Sequence, residues 1–352
     1  MAIKLLSDLV TVVSEHISNP STSGFEIFVG LEHYDAGEPV ITRFGSTANL
    51  ESSVKHFIEG DILVARRNVY LKRAGVVKFE GVTSGDSIVL RVKDECYKDI
   101  IPFILNTEEF WDYAEQNSDG TMSKRLAPDV LLEYECDIPD NHKDIAKKLW
   151  AAYELKEAYK KMIAATDEMV KSQFIEMFSS APKVGINNLV DTVWGSSPDS
   201  KTYNDIGEGV PFYQGKTEFG DLYINAPVTY CTAPIKMAKA NAILMSVRAP
   251  VGAVNIATQD CCIGRGLASI TPKEGKSTTM FVYYALKYME EELDRLGTGS
   301  TFKAINKESY AKIQMPDAKI SEQNKFVSIA EQADKSKFEL RQAIDKIDKV
   351  MK

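Results

Sequence analysis

Two long stretches without glycine or proline constrain the fold of this chain more than any other feature. They run from His142 to Phe178 and from Ile320 to Lys352, and they predict helices of about 30–36 residues, roughly 45–55 Å long. Apolar residues recur in them at spacings of three, four or seven, at Ile145, Leu149, Ala152, Tyr159, Ile163, Val170 and Met177, and at Phe326, Ala330, Ala333, Leu340, Ile344, Ile347 and Met351. This near-heptad spacing predicts a coiled-coil seam on each helix.

The chain also repeats one order of elements. Each long stretch follows a Pro-Asp pair, which ends at Asp140 in the first case and at Asp317 in the second. Before it come "ILVARR", ending at Arg67, or "ILMSVR", ending at Arg248, then "SIVLRV" or "LASITP", and then "SDGTMSKRL" or "GTGSTFKAI". A repeated order of this length predicts two copies of one globular domain, each followed by its own long helix.

Two equivalent helices with one apolar stripe each favour mutual antiparallel pairing, which would put the two globular copies at opposite ends. The alternative is that each helix caps its own domain. Lys156 and Lys337 interrupt the seams, which are also rich in alanine. We therefore expect the helix pair to leave surface for further helices.

Composition indicates a folded chain with room for two domains: 352 residues, 44% hydrophobic and 26% charged. It has no run of about 18 apolar residues and no signal-peptide cleavage pattern, so we expect no membrane span and a cytoplasmic protein. The cysteines contain no CxxC pair, and we expect buried free thiols; they are Cys96, Cys136, Cys231, Cys261 and Cys262. The four histidines form no HExxH motif, so no metal site is expected.

Two short segments imitate a phosphate-binding loop. "GEGVPFYQGKTEFG" contains Gly215-Lys216-Thr217, and "EGKST" contains a second Gly-Lys-Ser. A Walker A loop needs another glycine five positions before its Gly-Lys, because backbone N–H groups of that loop wrap the phosphates. Val210 and Ile270 occupy those positions, so we expect no ATP site on this chain.

Other catalytic signatures are missing from the sequence. It has no Asn/Asp-Pro-Pro-Tyr/Phe segment for methylation of a base amino group, no GxSxG, and no convincing PD…(D/E)xK nuclease core. We therefore expect a chain without catalytic activity of its own.

Loops at equivalent places in both copies combine basic, hydroxyl, amide and aromatic side chains. The formal net charge of −8 counts mildly against a nucleic-acid binder, but a local basic face is compatible with it. The loop residues are Arg66, Arg67, Asn68, Tyr70, Lys72, Arg73, Ser123, Lys124 and Arg125 in the first copy, and Tyr213, Gln214, Lys216, Arg248, Arg265, Thr301 and Lys303 in the second. Each alone is more often an ordinary surface residue, but their recurrence favours contacts with DNA phosphates and base edges.

The second copy resembles a target recognition domain of a type I restriction-modification specificity subunit. The resemblance lies in "GVPFYQGKTEFG", in "ANAILMSVRAPVGAVNIATQDCCIGRGLASITP", in "LGTGSTFKAINKESYAKIQMPD" and in the helix that starts with "SEQNKF". The first copy departs more from the pattern, with "GDILVARRNVYLKRAGV" and "DGTMSKRL" at the corresponding places. The two copies together cover nearly the whole chain.

This resemblance implies an α+β fold with two similar globular α/β target recognition domains, separated by a pair of long antiparallel coiled-coil helices. We expect recognition domain 1 over residues 1–141, the first long helix over 142–180, recognition domain 2 over 181–318 and the second long helix over 319–352. The residues expected to pack the helices or bind partners are Leu149, Ala152, Tyr159, Ile163, Phe326, Ala333, Leu340 and Ile344.

The resemblance also implies a function. Each recognition domain would read half of a bipartite double-stranded DNA site, and the helices would set the spacer and dock two methyltransferase subunits. Those subunits would bind S-adenosylmethionine, and restriction/translocase subunits would use ATP and Mg²⁺, so no cofactor is expected on this chain. The expected DNA contacts are Arg66, Arg67, Lys72, Lys124 and Arg125 in the first domain, and Tyr213, Lys216, Arg248, Thr301 and Lys303 in the second.

Three other interpretations remain open at this point. The chain could be a recognition or scaffold subunit of another DNA-defence system, a protein–protein scaffold that never touches DNA, or a stand-alone enzyme of an unfamiliar kind. A methylated bipartite DNA motif that depends on this chain favours a DNA-recognition subunit over a scaffold that never touches DNA and over a stand-alone enzyme.

Overall fold

The computed structural model describes residues 2–121, 123–297 and 303–351. The chain divides into two compact units, of which the first comprises Met1–Lys161 with Leu340–Lys352 and the second comprises Met162–Glu339. Each unit combines a globular α+β part with segments of two long helices. The mixed α+β content predicted from the sequence is confirmed.

The globular part of the first unit holds twelve strands within its described residues. They are β1 Ala2–Leu5, β2 Val10–Val13, β3 His16–Ile17, β4 Ile27–Val29, β5 Val40–Ile41, β6 Gly45–Ser46, β7 Val54–Phe57, β8 Ile62–Ala65, β9 Ala74–Val77, β10 Gly81–Thr83, β11 Ser87–Val92 and β12 Glu135–Ile138. The helices of the first unit are α1 Leu6–Leu9, α2 Ile101–Ile104, α3 Glu108–Gln116, α4 Pro128–Leu132 and the start of α5 His142–Phe178.

The second unit repeats this arrangement. Its strands are β13 Lys183–Gly185, β14 Val190–Trp194, β15 Tyr203–Asn204, β16 Val210–Tyr213, β17 Tyr230–Cys231, β18 Met237–Ala238, β19 Ile243–Ser246, β20 Val254–Ile256, β21 Cys261–Ile263, β22 Leu267–Pro272 and β23 Gln314–Pro316. Its helices are α6 Thr279–Tyr288, α7 Glu290–Leu296, α8 Lys307–Ala311 and most of α9 Ile320–Met351.

The central sheets of the two units share the order of four strands. It is β2-β11-β8-β9 in the first unit, where β5 adds a fifth strand beside β9, and β14-β22-β19-β20 in the second. In both sheets the middle strand pairs antiparallel with the long strand beside it, with Ile62 opposite Leu90 in one and Ile243 opposite Ile270 in the other. A two-stranded ribbon, β1-β12 or β13-β23, joins the start of each globular part to the strand that precedes its long helix.

The second sheets agree in four strands and differ at one edge. In the first unit the order is β3-β7-β10-β4-β6, and in the second it is β15-β17-β16-β21-β18. β4 and β16 both run parallel to their central neighbours, β10 and β21. Each sheet has one additional short strand. In the first unit it is β3, beside β7, whereas in the second it is β15, beside β17 at the opposite edge.

The middle strand of each central sheet is buried on both faces, which explains its unbroken apolar sequence. Ile62 and Val64 of β8 pack into one core with the helices, while Leu63 and Ala65 pack into a second core with the other sheet. β19 divides in the same way, because Ile243 and Met245 belong to the helix-side core and Leu244 to the other. The core therefore lies on both sides of a single sheet in each unit.

The two long helices match the helices predicted from the absence of glycine and proline. α5 covers His142–Phe178 and α9 covers Ile320–Met351. In the second unit their segments contact each other in antiparallel directions, because Asp167 binds Lys337 while Phe174 packs on Phe326. Phe326 is fully buried there, 5.2 Å from Phe174 between ring centroids.

The predicted seam residues vary in burial. Phe326 and Ala333 are buried, whereas Leu149, Ala152, Tyr159, Ile163, Leu340 and Ile344 are partly buried. Lys156 and Lys337 do not interrupt the seam as solvated charges, since they are only 4% and 7% exposed. Carboxylates lie beside both amino groups and compensate the charge of each buried lysine.

The cysteine and histidine side chains form neither a disulfide nor a metal cluster among the described residues. All five cysteines are free; Cys136, Cys231, Cys261 and Cys262 are buried, as expected, and Cys96 is partly exposed. Over the described ranges, no group of three or more His, Cys, Asp and Glu side chains is placed to hold a metal ion. None of the helices in those ranges is long and apolar enough to cross a membrane.

Candidate nucleic-acid interface

The first basic site lies where β8 ends. We define it as Arg67, Asp86, Ser123 and Arg125. The backbone N–H of Arg66 donates to the carbonyl of Asp86 at 2.9 Å, and the N–H of Leu126 donates to the carbonyl of Arg66 at 2.8 Å. Residues 125 and 67 also form a β-bridge. The segment "SKRL" therefore extends the edge of the sheet beside the loop that follows β8.

Asp86 lies between the two arginines of this site. Its carboxylate is 3.1 Å from the Arg125 guanidinium and 3.6 Å from that of Arg67. Arg67 Nε donates to Ser123 Oγ at 3.1 Å, which fixes its direction. Both arginine side chains are still about half exposed, at 46% and 50%. A guanidinium has five N–H donors, so each arginine keeps donors available for a phosphate or a base edge.

Arg73 supports the loop from behind, a role that its place in the sequence did not reveal. Its guanidinium donates to the carbonyls of Leu31 and Arg67 at 2.9 and 3.1 Å. Two residues of this loop, Asn68 and Lys72, adopt the left-handed conformation, with φ of 56° and 48°. This tight backbone is costly for residues other than glycine, and it is stabilised by these hydrogen bonds.

The other predicted contacts of the first unit are partly occupied by protein groups. Lys72 forms an ion pair with Glu108 of α3. Lys124 Nζ donates to the carbonyl of Glu115 at 2.8 Å and lies 3.9 Å from its carboxylate. Arg66 is partly buried, and its Nε has no hydrogen-bond partner among the described residues. The structure thus brings all five predicted residues to one loop cluster, with Arg67 and Arg125 the most exposed of them.

The second basic site, which we define as Arg248, Gly266 and Lys303, has the same backbone frame. The N–H of Val247 donates to the carbonyl of Gly266 at 2.9 Å, and the N–H of Ile305 donates to the carbonyl of Val247 at 3.0 Å. Arg248 forms a β-bridge with residue 304, as Arg67 does with Arg125. The predicted equivalence of "KRL" and "KAI" is therefore visible in the hydrogen bonds.

The charges at the second basic site are different. Gly266 stands where the first site has Asp86, and a Cβ added to Gly266 would lie 2.2 Å from the backbone oxygen of Gln214. That approach excludes any side chain at this position. Exposed Arg248 forms no ion pair with any residue that the structure describes. Lys303 Nζ binds Asp294 at 2.6 Å and is about half exposed.

Tyr213 corrects a prediction. It is 1% exposed, and its phenol donates to the carbonyl of Asn225 at 3.0 Å. Burial raises the pKa of Tyr213 to about 12. The side chain is therefore a core group of β16 and is not an exposed loop residue as predicted. Its neighbour in sequence, Gln214, is exposed instead.

Around Gln214 the structure assembles a polar cluster that includes a residue missed from the sequence. Ser197 Oγ accepts from Arg265 Nε at 3.4 Å and from Gln214 Nε2 at 3.5 Å. Arg265 and Gln214 were among the basic and amide loop residues, but Ser197 carried no signal beyond its loop composition. Amide and guanidinium donors held side by side can read base edges.

The two remaining predicted contacts of the second unit are placed as follows. Lys216 is exposed and lines a cavity of about 340 Å³ together with Phe219, Tyr283 and Lys287. Thr301 lies outside the residues that the structure describes.

Comparison with known proteins identifies relatives. A family model described as the type I restriction modification DNA specificity domain matches residues 190–349. The MjaX specificity subunit of Methanocaldococcus jannaschii, a type I restriction enzyme subunit, is 46% identical over 141 residues, which is 40% of this chain. That alignment spans only about a third (33%) of the relative's own length.

Solved structures match over nearly the whole chain. A chain from a structure that addresses complex assembly and conformational transition of the type I restriction-modification system superimposes with a TM-score of 0.64 at 25% identity, covering 99% of this chain and 95% of that one. A type I restriction-modification S subunit from M. genitalium gives a TM-score of 0.58 at 14% identity, covering 99% of this chain and 93% of that one. The second likeness supports the fold alone.

Proposed function

We propose that this chain, which belongs to the family of type I restriction-modification specificity subunits, recognises a bipartite double-stranded DNA site, with each unit reading one half. The observation that carries the proposal is the pair of basic sites on one shared backbone frame. In each unit an exposed arginine, Arg67 or Arg248, lies two residues after the middle strand of the central sheet and is bridged to a later segment of the same unit. Two similar readers on one chain suit a site with two halves.

In the first unit, Arg67 and Arg125 are the leading candidates for base edges, because Asp86 and Ser123 fix their directions. Lys72 and Lys124 would contact phosphates after exchanging their glutamate partners. In the second unit, Arg248 is the leading candidate, and Lys216, Thr301 and Lys303 are proposed for phosphate contacts. Gln214 and Arg265 are proposed as DNA contacts instead of Tyr213.

We infer that α5 and α9 form an antiparallel coiled coil that sets the spacer between the half-sites and docks two methyltransferase subunits. Three large apolar side chains on α5 support a docking role: Leu155, Met162 and Met169 are 45%, 53% and 52% exposed. They recur every seven residues, which places them on one face of the helix. Exposed apolar rows of this kind mark protein–protein contacts.

The chemistry belongs to other chains in this proposal. The methyltransferase subunits bind S-adenosylmethionine and methylate adenine N6, and the restriction/translocase subunits use ATP and Mg²⁺. This chain supplies DNA specificity without a cofactor of its own and works in the cytoplasm.

The test is methylation mapping. The chain is expressed with its methyltransferase in a host that lacks adenine methylation, and methylated adenines are located by sequencing. We expect one bipartite motif that disappears when this chain is left out. Methylation without a motif, or a motif that persists without the chain, contradicts the proposal; recovery of other protein partners with unchanged methylation favours a scaffold.

A further inference from the structure

Two lysines occupy the middle of the long helices at buried positions. Lys156 of α5 and Lys337 of α9 lie 181 positions apart in sequence, and so do Asp167 and Asp348, the aspartates that they bind. Arg67 and Arg248 of the basic sites have the same separation. The lysine–aspartate pairs therefore follow the same repeat as the loops that we propose for DNA.

In the first unit, Lys156 joins three elements. Its Nζ lies 2.5 Å from the Asp348 carboxylate on α9 and 2.7 Å from the carboxylate of Glu38. Glu38 belongs to the globular part, two residues before β5. One Glu38 oxygen is buried with no hydrogen-bond partner among the described residues. Lys160, 3.2 Å from Glu38, is a second cation for that carboxylate.

In the second unit, Lys337 lies at the corresponding junction of the two long helices and the globular part, with different partners. Its Nζ lies 2.6 Å from Asp167 of α5 and 2.8 Å from Asp334 on its own helix. Asp334 accepts a hydrogen bond from the phenol of Tyr284, which lies on α6 of the globular part. Burial alone would lower the pKa of Lys337, but the two carboxylates outweigh burial and raise it.

Stability does not explain these contacts well. A buried ion pair is often no more stabilising than apolar residues of the same volume. A polar group in a helix seam restricts the geometry of packing, because only one arrangement satisfies it. Here Lys156 binds both Asp348 of α9 and Glu38 of the globular part, so its contacts are complete only when all three elements meet. Lys337 binds carboxylates of both long helices, and one of them, Asp334, is also held by Tyr284 of the globular part.

We propose that Lys156 and Lys337 are positioning residues that each fix the globular part of one unit on its long-helix segments, so that the recognition loops face DNA in one orientation. The DNA part of this inference rests on the proposed function. The contact with the globular part, through Glu38 or through Asp334 and Tyr284, is independent of it.

The experiment compares buried and exposed lysines on the same helices in the full chain with its methyltransferase partner. Lys156→Met is matched by Lys148→Met, and Lys337→Met by Lys335→Met, because Lys148 and Lys335 are exposed. One readout is amide hydrogen exchange around Glu38 and along α6. The other is binding to the mapped DNA site and to single-base variants of each half-site.

We expect Lys156→Met to speed exchange around Glu38 and to reduce discrimination in one half-site by about tenfold, the scale of one base contact. Lys337→Met should act on α6 and on the other half-site. Total affinity should change less than discrimination, because phosphate contacts supply much of it. The exposed-lysine variants should behave as the native chain in both readouts.

A charge reversal separates helix pairing from positioning. Lys156→Asp combined with Asp348→Lys restores attraction between α5 and α9 but places a carboxylate against Glu38. We expect this variant to recover thermal stability relative to Lys156→Met without recovering half-site discrimination. It also keeps the test decisive if Lys156→Met fails to fold.

Two results overturn the inference: discrimination by folded Lys156→Met equal to that of Lys148→Met, or full recovery of discrimination in the charge reversal. If the native complex shows no sequence-specific DNA binding, the proposed function fails instead. Hydrogen exchange then decides the positioning claim alone, and exchange around Glu38 that is unchanged in Lys156→Met contradicts it.

Discussion

The loop after β8 in the first unit and the loop after β19 in the second are held by equivalent backbone hydrogen bonds, yet their charges differ. In the first basic site Asp86 lies between Arg67 and Arg125. In the second, Gly266 takes the place of the acid and residue 304 is an alanine, so within the described residues Arg248 has neither an arginine at the position equivalent to Arg125 nor a carboxylate paired with it. One frame thus carries two electrostatic solutions: a pre-oriented arginine pair and a single arginine.

The backbone frame is therefore separable from the charges that it presents. Backbone groups fix where the arginine emerges, and side chains around it decide its orientation and net charge. Repeated domains that read different DNA sequences need this separation, because the frame can stay constant while the contacts vary.

An aspartate at position 266 of the second basic site should destabilise the folded chain. In Gly266→Asp, the new Cβ would meet the backbone oxygen of Gln214 at 2.2 Å, and we expect a loss of about 3 kcal/mol or more in the free energy of unfolding. Gly215→Asp is the control, because a Cβ there meets nothing within 4 Å. Denaturant unfolding measures both, and native stability in Gly266→Asp would show that the close approach does not require glycine.

Removing the acid from the first site should change binding more than folding. Asp86→Asn leaves Arg67 and Arg125 without their shared carboxylate, but both are about half exposed, so the stability cost should stay below about 1 kcal/mol. We expect tighter binding to unrelated DNA, with a salt dependence steeper by roughly one phosphate contact. Titrations at several salt concentrations measure this, and weaker non-specific binding contradicts the account.

The first unit should also have a pH dependence that the second lacks. His56 of β7 binds Glu15 at 3.0 Å and Glu80 at 2.8 Å. Burial alone would lower the pKa of His56, but the two carboxylates outweigh burial and raise it above 6.5. The imidazolium therefore favours the folded state, and its stabilisation is complete below about pH 6.5 and lost as pH rises through the raised pKa.

His56→Gln checks this dependence. The variant should remove the change in unfolding free energy across that range, and the native chain should show the change only in transitions of the first unit. The second unit has Met237 at the equivalent place, opposite Cys262 as His56 is opposite Val82. An unaltered pH profile in His56→Gln would rule out this histidine as its source.

The smallest predicted effect is a difference between the two units in how fast their thiols are labelled, which can be measured without altering either unit. Cys96 of the first unit is partly exposed and lies 3.5 Å from His142 Nε2. Cys231, Cys261 and Cys262 of the second unit are buried, and burial raises the pKa of Cys261 to about 12. We expect one fast thiol per native chain with a thiol reagent, mapped to Cys96, and fast labelling of any second-unit cysteine would contradict the burial.

Sequence patterns predicted the two long helices, and they predicted a strand leading to Arg67 and another leading to Arg248. Both features depend on local spacing. The absence of glycine and proline set α5 and α9, and strand-like runs ending in arginine located Arg67 and Arg248. Tyr213 was misassigned because burial of β16 on both faces is a tertiary effect that four residues do not encode. The glutamates beside Lys72 and Lys124, and the carboxylates that Glu38 and Asp348 bring to Lys156 and Asp167 brings to Lys337, come from other elements of the fold, so no local pattern could reveal them. Only Asp334, three residues before Lys337 on α9, is a local partner.

Methylation mapping of two single-arginine variants, one for each unit, tests most directly whether each unit reads one half of the DNA site. The methyltransferase complex is assembled with Arg67→Ala or with Arg248→Ala, and methylated adenines are located across a genome. The account predicts that each variant relaxes sequence preference in one half of the bipartite motif and leaves the other half unchanged. Relaxation of the same half by both variants, or an unchanged motif in both, would contradict the assignment of one reader to each unit.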